Sequence, residues 1–379
     1  MSSWFSSLSS SISNIAGRIV DSDTVNNVQS VTSRAYVSEV CNGLELVDPS
    51  KHEDITLIKE FAQGAELSRQ VYNYTEMIKH EDCTLLRAES PVIVGYYERF
   101  EGTIWILCRG THSPDCLILD FGWLGDVDYL QDTRIKVPKM IADVVQEQMH
   151  DILSYVKATA DRNQGKVKQL KFTGHSLGGS VATAMYLSYR SSAYKPADIH
   201  TAVYTFGAPS ICLDQKPSLS EDHVHHLCYQ LDLVPRLVGE HDIPPGIVLS
   251  DFGRQLLQYS QRESLSRKHY RHWGSYYALH GGGKPLLERA IRPRAFLSAL
   301  PQHPLSIPGA LKDHSLVKGY CKALGEIALQ GGMDGGADVN RAQVQCDSSS
   351  GNSISGGSNS ASNDKNSLRQ RSSSIDSVD

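Results

Sequence analysis

Between about residues 51 and 330 the apolar positions of the chain switch repeatedly between two periods. Residues 55–77 place Leu57, Ile58, Phe61, Ala65, Val71 and Tyr74 at helical spacing. Residues 92–97 and 103–108 are β-rich runs, and Glu101-Gly102 between them supplies a turn, so the pair predicts a hairpin. Pro138 opens a stretch with Ile141, Val144, Val145, Met149, Ile152, Leu153 and Val156 on one face, a helix expected to stop near Gly165. A strand over 167–172, a helix over 177–190 and strands over 199–206 and 226–231 follow. A last amphipathic stretch carries Leu316, Val317, Tyr320, Leu324 and Ile327. This alternation predicts an α/β fold with a mostly parallel central sheet flanked by helices.

The ends read differently. Residues 1–20 are serine-rich with spaced bulky apolar side chains, 21–50 read as a linker, and 331–379 are a Ser/Gly-rich tail expected to be disordered. These divide the 379 residues into an N-terminal helix, a linker, one catalytic-sized domain over 51–330 and a tail. A net charge of −5 gives no sign of a nucleic-acid partner. No apolar run is long enough to span a bilayer, and residues 1–20 lack the basic and apolar regions of a secretory signal. The eight cysteines are scattered without a CxxC pair, which predicts reduced thiols, a cytoplasmic setting and no zinc site.

Candidate chemistry sits at one strand–helix junction. Lys171-Phe172-Thr173-Gly174-His175-Ser176-Leu177-Gly178-Gly179 contains G-x-S-x-G after a predicted strand and before an Ala-rich helix. A sharp turn there needs glycines where a Cβ would clash, and it lifts the serine hydroxyl clear of the sheet. The helix that follows aims its free N–H groups at any developing oxyanion. A serine hydroxyl is a poor nucleophile alone, so a base and an orienting carboxylate are expected after it. Asp232 ends a predicted strand and is the preferred acid, ahead of Asp214 and Asp242. His314 precedes the last amphipathic stretch, with His280 and His303 as rivals in Gly- or Pro-rich loops. His175 is expected to pack rather than titrate, and His223, His225 and His226 form no metal pattern.

In order along the chain stand Arg109-Gly110-Thr111, the Gly174–Gly179 elbow, Thr205-Phe206-Gly207-Ala208-Pro209, Asp232-Leu233-Val234-Pro235-Arg236, and Asp313-His314-Ser315 with Tyr320 following. Over roughly 55–330 this resembles the class 3 lipases, the fungal triacylglycerol lipase-like and diacylglycerol lipase-like α/β hydrolases. The resemblance implies an α/β-hydrolase fold and a serine lipase acting on di- or triacylglycerol without a cofactor. It implies a triad of Ser176, Asp232 and His314, and an oxyanion hole from the backbone N–H groups of Thr111 and Leu177. A catalytically silent scaffold that binds lipid or protein, and an acyltransferase using the same triad, are the alternatives. The long stretch 239–312 offers no pattern from which an acyl pocket can be read.

Two apolar segments suggest a lipid surface. After Thr111, the residues Leu117, Ile118, Leu119, Phe121, Trp123 and Leu124 lie between Pro114 and Gly125 and form a candidate lid, with core packing the equal alternative. In the first twenty residues Met1, Trp4, Phe5, Leu8, Ile12, Ile15, Ala16 and Ile19 share an arc of roughly 120° on a helical wheel, and no charge precedes Arg18. Serine disfavours helix in water, so this segment is expected to fold on a surface with packing defects. That predicts peripheral association with membranes or lipid droplets, or else docking on the domain. The run Arg369-Gln370-Arg371-Ser372 in the tail predicts a kinase partner.

Overall fold

The computed structural model describes residues 34–35, 37–38, 43–111, 127–130, 133–193, 199–213, 220–237, 270–271, 273–281, 284–297 and 313–330. The candidate lid, the apolar residues of 1–20, the tail, Asp214, Asp242 and His303 lie outside them.

The strands are β1 (Leu44–Leu46), β2 (Cys83–Arg87), β3 (Ile93–Glu98), β4 (Thr103–Cys108), β5 (Val127–Tyr129), β6 (Lys136–Pro138), β7 (Gln169–His175), β8 (His200–Phe206), β9 (Cys212–Leu213), β10 (Val224–Tyr229), β11 (Tyr270–Arg271), β12 (Ser275–His280) and β13 (Leu286–Ala290). The helices are α1 (His52–Gln70), α2 (Tyr74–Met77), α3 (Lys139–Arg162), α4 (Leu177–Ser191), α5 (Val234–Leu237), α6 (Pro293–Leu297) and α7 (Lys322–Gln330). A 3₁₀ turn, Val71–Asn73, precedes α2, and a π turn, Leu316–Cys321, runs into α7.

Among the described residues, nine strands form one sheet in the order β1-β13-β12-β10-β8-β7-β4-β3-β2. The pairs β4–β7, β7–β8, β8–β10 and β10–β12 are parallel, and the outer pairs are antiparallel. This is the α/β sheet, parallel in its centre, expected from the periodicity, and it agrees with the α/β-hydrolase fold that the resemblance implies. The predicted hairpin is β3 and β4, turning at Gly102 with φ 64°. Pro138 caps α3 at its start, and the helix ends before Gln164 and Gly165, both at positive φ. A second sheet, β11-β9-β6-β5, is built of two- and three-residue strands that leave no period to read.

Both faces of the main sheet are covered, so its central strands are buried on both sides. Along β4, Ile104, Ile106 and Cys108 join the cluster under α3 and α4, with Ile141, Val145, Ile152 and Val181. Trp105 and Leu107, one step out of phase, join Ile58, Phe61 and Ala65 of α1 and Leu324 and Ile327 of α7. Burying these two layers favours the ordered sheet by ~25 cal/mol per Å² of apolar surface removed from water. The π turn that presents His314 is thereby anchored from below, because Tyr320 and Leu316 belong to the second cluster.

The expected linker is ordered in part. Leu44–Leu46 pairs antiparallel with β13, and the Val47 N–H donates to the Leu287 carbonyl at 3.0 Å. Val37 is fully buried with Cys228, Tyr276 and Phe296, and Arg34 forms an ion pair with Glu288. The fold therefore begins well before residue 51. Composition could not reveal this, since β1 is a three-residue edge strand that exposes two of its side chains.

Candidate active site

Ser176 stands between the end of β7 and the start of α4, with φ 58° and ψ −132°. Side chains rarely adopt this backbone, and it costs on the order of 1–3 kcal/mol unless the surroundings enforce it. They do so by close approach. A Cβ on Gly178 would lie 2.2 Å from the Cys108 carbonyl oxygen, and one on Gly174 would lie 2.4 Å from the Gly178 carbonyl carbon. Only hydrogen at both positions lets β4, β7 and α4 converge. The Ser176 N–H then donates to the Phe206 carbonyl at 2.9 Å, tying the turn to β8. Ser176 is 2% exposed.

Asp232 and His314 stand 82 positions apart in the chain. Asp232, fully buried, follows β10 through a turn in which Gln230 has φ 45°. His314 Nδ1 lies 3.0 Å from Asp232 Oδ1 and 2.9 Å from Oδ2. The Val234 N–H donates to Oδ1 at 2.9 Å, and the Tyr320 hydroxyl donates to Oδ2 at 2.6 Å. Burial, reinforced by the charge of Asp232, pushes the Tyr320 phenol well above its ordinary range, so it stays a donor. A carboxylate accepts only, so Nδ1 of His314 carries a proton, and it is the neutral ring whose Nε2 lone pair can take another. Among the described residues neither His314 Nε2 nor Ser176 Oγ has a hydrogen-bond partner, though both are buried. Resting sites often hold such a pair loosely and tighten it only around substrate.

Gly207 closes the gap between these residues. It has φ 61°, and a Cβ there would sit 2.5 Å from Asp232 Oδ2 and 2.9 Å from His314 Nδ1. The parallel register sets Cys108 beside Gly174, so Arg109–Thr111 runs alongside the elbow. Thr111 is half-buried there, and Leu177 opens α4 immediately after Ser176. Their backbone N–H groups are thus carried on the two segments that converge at Gly178.

Other neighbours were not foreseen in these roles. His175 Nε2 lies 2.9 Å from the His314 carbonyl oxygen, and its Nδ1 lies 3.1 Å from the Tyr72 hydroxyl. Asp313 is buried and accepts from the Leu231 N–H at 3.2 Å; burial, with the nearby charge of Asp232, pushes its carboxyl up to about 7. Tyr320 and Asp313 were visible only as neighbours of His314 in a motif, and Tyr72 carried no signal, being 103 positions from His175.

The rival His280 is buried in β12, with Nε2 3.2 Å from Glu288 Oε2. His225 and His226 are likewise structural. His225 stacks on Tyr204 and meets the Tyr277 hydroxyl, while His226 meets Thr205 Oγ1 and the Trp273 carbonyl. Burial pushes them down to about 3 and about 4. Among the described residues no group of His, Cys, Asp or Glu could hold a metal ion, and Cys83, Cys108, Cys212, Cys228 and Cys321 are free thiols. No described helix is long and apolar enough to cross a membrane.

Comparison with known proteins follows the same residues. The family described as lipase (class 3) matches residues 105–241, from β4 through the elbow to just beyond Asp232. Two Arabidopsis thaliana proteins, the chloroplastic phospholipases A1 PLIP1 and PLIP2, are each 31% identical, over 28% and 26% of this chain. The matched segments span only 17% and 15% of those proteins' own lengths. Among solved structures, the native Rhizomucor miehei lipase propeptide complex aligns over 72% of this chain and 83% of its own, at 17% identity and a TM-score of 0.48. The lipase of Rhizopus microsporus var. chinensis aligns over 72% and 88%, at 16% identity and a TM-score of 0.48.

Proposed function

We propose, from the class 3 lipase match over residues 105–241 and the geometry of the site, that this chain is a serine hydrolase of glycerolipid carboxylic esters, with Ser176, Asp232 and His314 as its catalytic residues. The observation that carries this reading is a buried His314 Nε2 without a hydrogen-bond partner among the described residues, fixed by Nδ1–Asp232 contacts of 2.9 and 3.0 Å, in the same site as a serine held on a strained elbow. In the reaction, His314 Nε2 takes the Ser176 proton as Oγ attacks the ester carbonyl carbon. The carbonyl oxygen, now negative, is held by the backbone N–H groups of Leu177 and Thr111; one such donor is worth about 10²–10³ in rate. Collapse breaks the ester bond, and His314 returns the proton to the leaving alcohol. Water then attacks the acyl-serine by the same path and releases the fatty acid.

The substrate reading is di- or triacylglycerol at a lipid surface, with residues 1–20 as a peripheral anchor and 117–124 as a lid. A phospholipid substrate is the second reading, favoured by the names of the two Arabidopsis relatives. The test is hydrolysis by the full chain beside Ser176→Ala, on a short soluble ester, on emulsified di- and triacylglycerol, and on phospholipid vesicles. Fastest serine-dependent turnover on the emulsions supports the first reading, and on the vesicles the second. No turnover of any ester by a folded chain would instead indicate a silent lipid-binding scaffold.

A further inference from the structure

Tyr72, in the 3₁₀ turn after α1, reaches across the sheet's upper edge to His175, and the direction of each hydrogen bond there is fixed by chemistry. His175 Nε2 lies 2.9 Å from the His314 carbonyl oxygen, which can only accept, so Nε2 carries the proton. A neutral imidazole then has a bare Nδ1, and the Tyr72 hydroxyl 3.1 Å away must donate to it. Gly110 packs against this pair: a Cβ there would lie 2.8 Å from the Tyr72 oxygen and 2.4 Å from the His175 carbonyl oxygen. Burial, followed by the nearness of His314, holds His175 well below the usual histidine range, so the ring stays neutral. Burial also pushes the Tyr72 phenol up, outweighing the pull of Arg109, so its proton stays in place.

These contacts make one directional chain, from Tyr72 to His175 to the His314 carbonyl, with Gly110 packed against its first member. Gly110 immediately precedes Thr111, and the far end of the chain is the backbone of the base itself. The His175 and His314 rings also lie against each other, with centroids 4.5 Å apart and planes tilted by 32°, while Tyr320 meets His175 edge-on at 6.1 Å.

We propose that Tyr72 and His175 are positioning residues that lock the 109–111 segment and the His314 backbone into one geometry across the elbow, setting oxyanion donor and general base together. The proposal rests on the hydrolase reading above. Neither side chain is placed against substrate, so their loss is expected to act on turnover rather than on substrate binding. A misplacement of about 1 Å at a reacting centre can cost about 10²-fold in rate.

The experiment uses the full chain labelled with ¹⁵N-histidine, as parent and as Tyr72→Phe, which keeps the ring and removes the hydroxyl. In the parent, the nitrogen spectrum is expected to show His175 as the neutral Nε2–H tautomer from about pH 5.5 to about pH 8, with Nδ1 hydrogen-bonded. In Tyr72→Phe the Nδ1 signal is expected to move to that of a nitrogen without a donor. On a soluble short ester, kcat of Tyr72→Phe is expected to fall about 10- to 100-fold with KM unchanged. A protonated His175, an Nδ1–H tautomer, or a Tyr72→Phe protein with the parent's kcat would overturn the proposal. A parent that hydrolyses no ester would remove the hydrolase reading and the relay's catalytic role with it, while the tautomer measurement would still decide whether the chain of bonds exists.

Discussion

The Tyr320 hydroxyl and His314 Nδ1 meet on the same oxygen of Asp232, at 2.6 and 2.9 Å. The carboxylate is thus aimed from two sides, by the residue it orients and by a phenol rooted in the core beneath. Hydrogen bonds to charged groups are worth about 1.5–3 kcal/mol. Tyr320→Phe removes one and also leaves the Tyr229 N–H without its 3.0 Å acceptor. We expect kcat on a soluble ester to fall on the order of tenfold with KM unchanged, and the melting temperature to fall. Steady-state kinetics and a thermal melt check this; a parent-like kcat would mean that Asp232 is held well enough without the phenol.

Asp313 predicts a pH dependence of stability. Its folded carboxyl is pushed up to about 7 from an ordinary 3.8. Between those values the folded chain holds a proton that the unfolded chain has released, so this group's contribution to stability falls as pH rises. Asp313→Asn does not titrate. Its melting temperature relative to the parent is therefore expected to increase steadily from about pH 4 to about pH 8. Melts across that range check it, and a constant difference would contradict the buried, proton-holding carboxyl.

Gly207 leaves no room for a side chain against Asp232 Oδ2 and His314 Nδ1. Gly207→Ala is expected to lower kcat more than about 100-fold and to cost about 1–3 kcal/mol at its positive φ. Denaturant unfolding separates the two effects, because a folded variant that has lost turnover shows the displacement of the pair.

Much of this arrangement could be read from the sequence, for identifiable reasons. The β3–β4 hairpin and α3 carry long, unbroken periods, and the elbow combines two glycines with a strand and a helix around them. What could not be read is either short or distant. β1 exposes two of its three side chains, the second sheet has strands of two or three residues, and Tyr72 acts on a residue 103 positions away. The phenol of Tyr320 and the carboxyl of Asp313 take their roles from burial against Asp232, which no local pattern encodes.

Backbone strain at Ser176 gives a second stability test. With φ 58° and ψ −132°, the site suits glycine better than any residue with a Cβ. Ser176→Gly and Ser176→Ala should both be inactive, with the glycine variant more stable by about 1 kcal/mol. Equal stability by denaturant unfolding would mean that the turn is relaxed in solution.

The central claim is that Ser176 is a nucleophile activated by His314. The most direct test is to treat the full chain with a fluorophosphonate, a probe that bonds to activated serines, and to locate the adduct by peptide mass spectrometry. The account predicts a single adduct on Ser176, absent in Ser176→Ala and strongly slowed in His314→Ala. A folded chain that takes up no probe, or takes it up at another serine, would contradict the account.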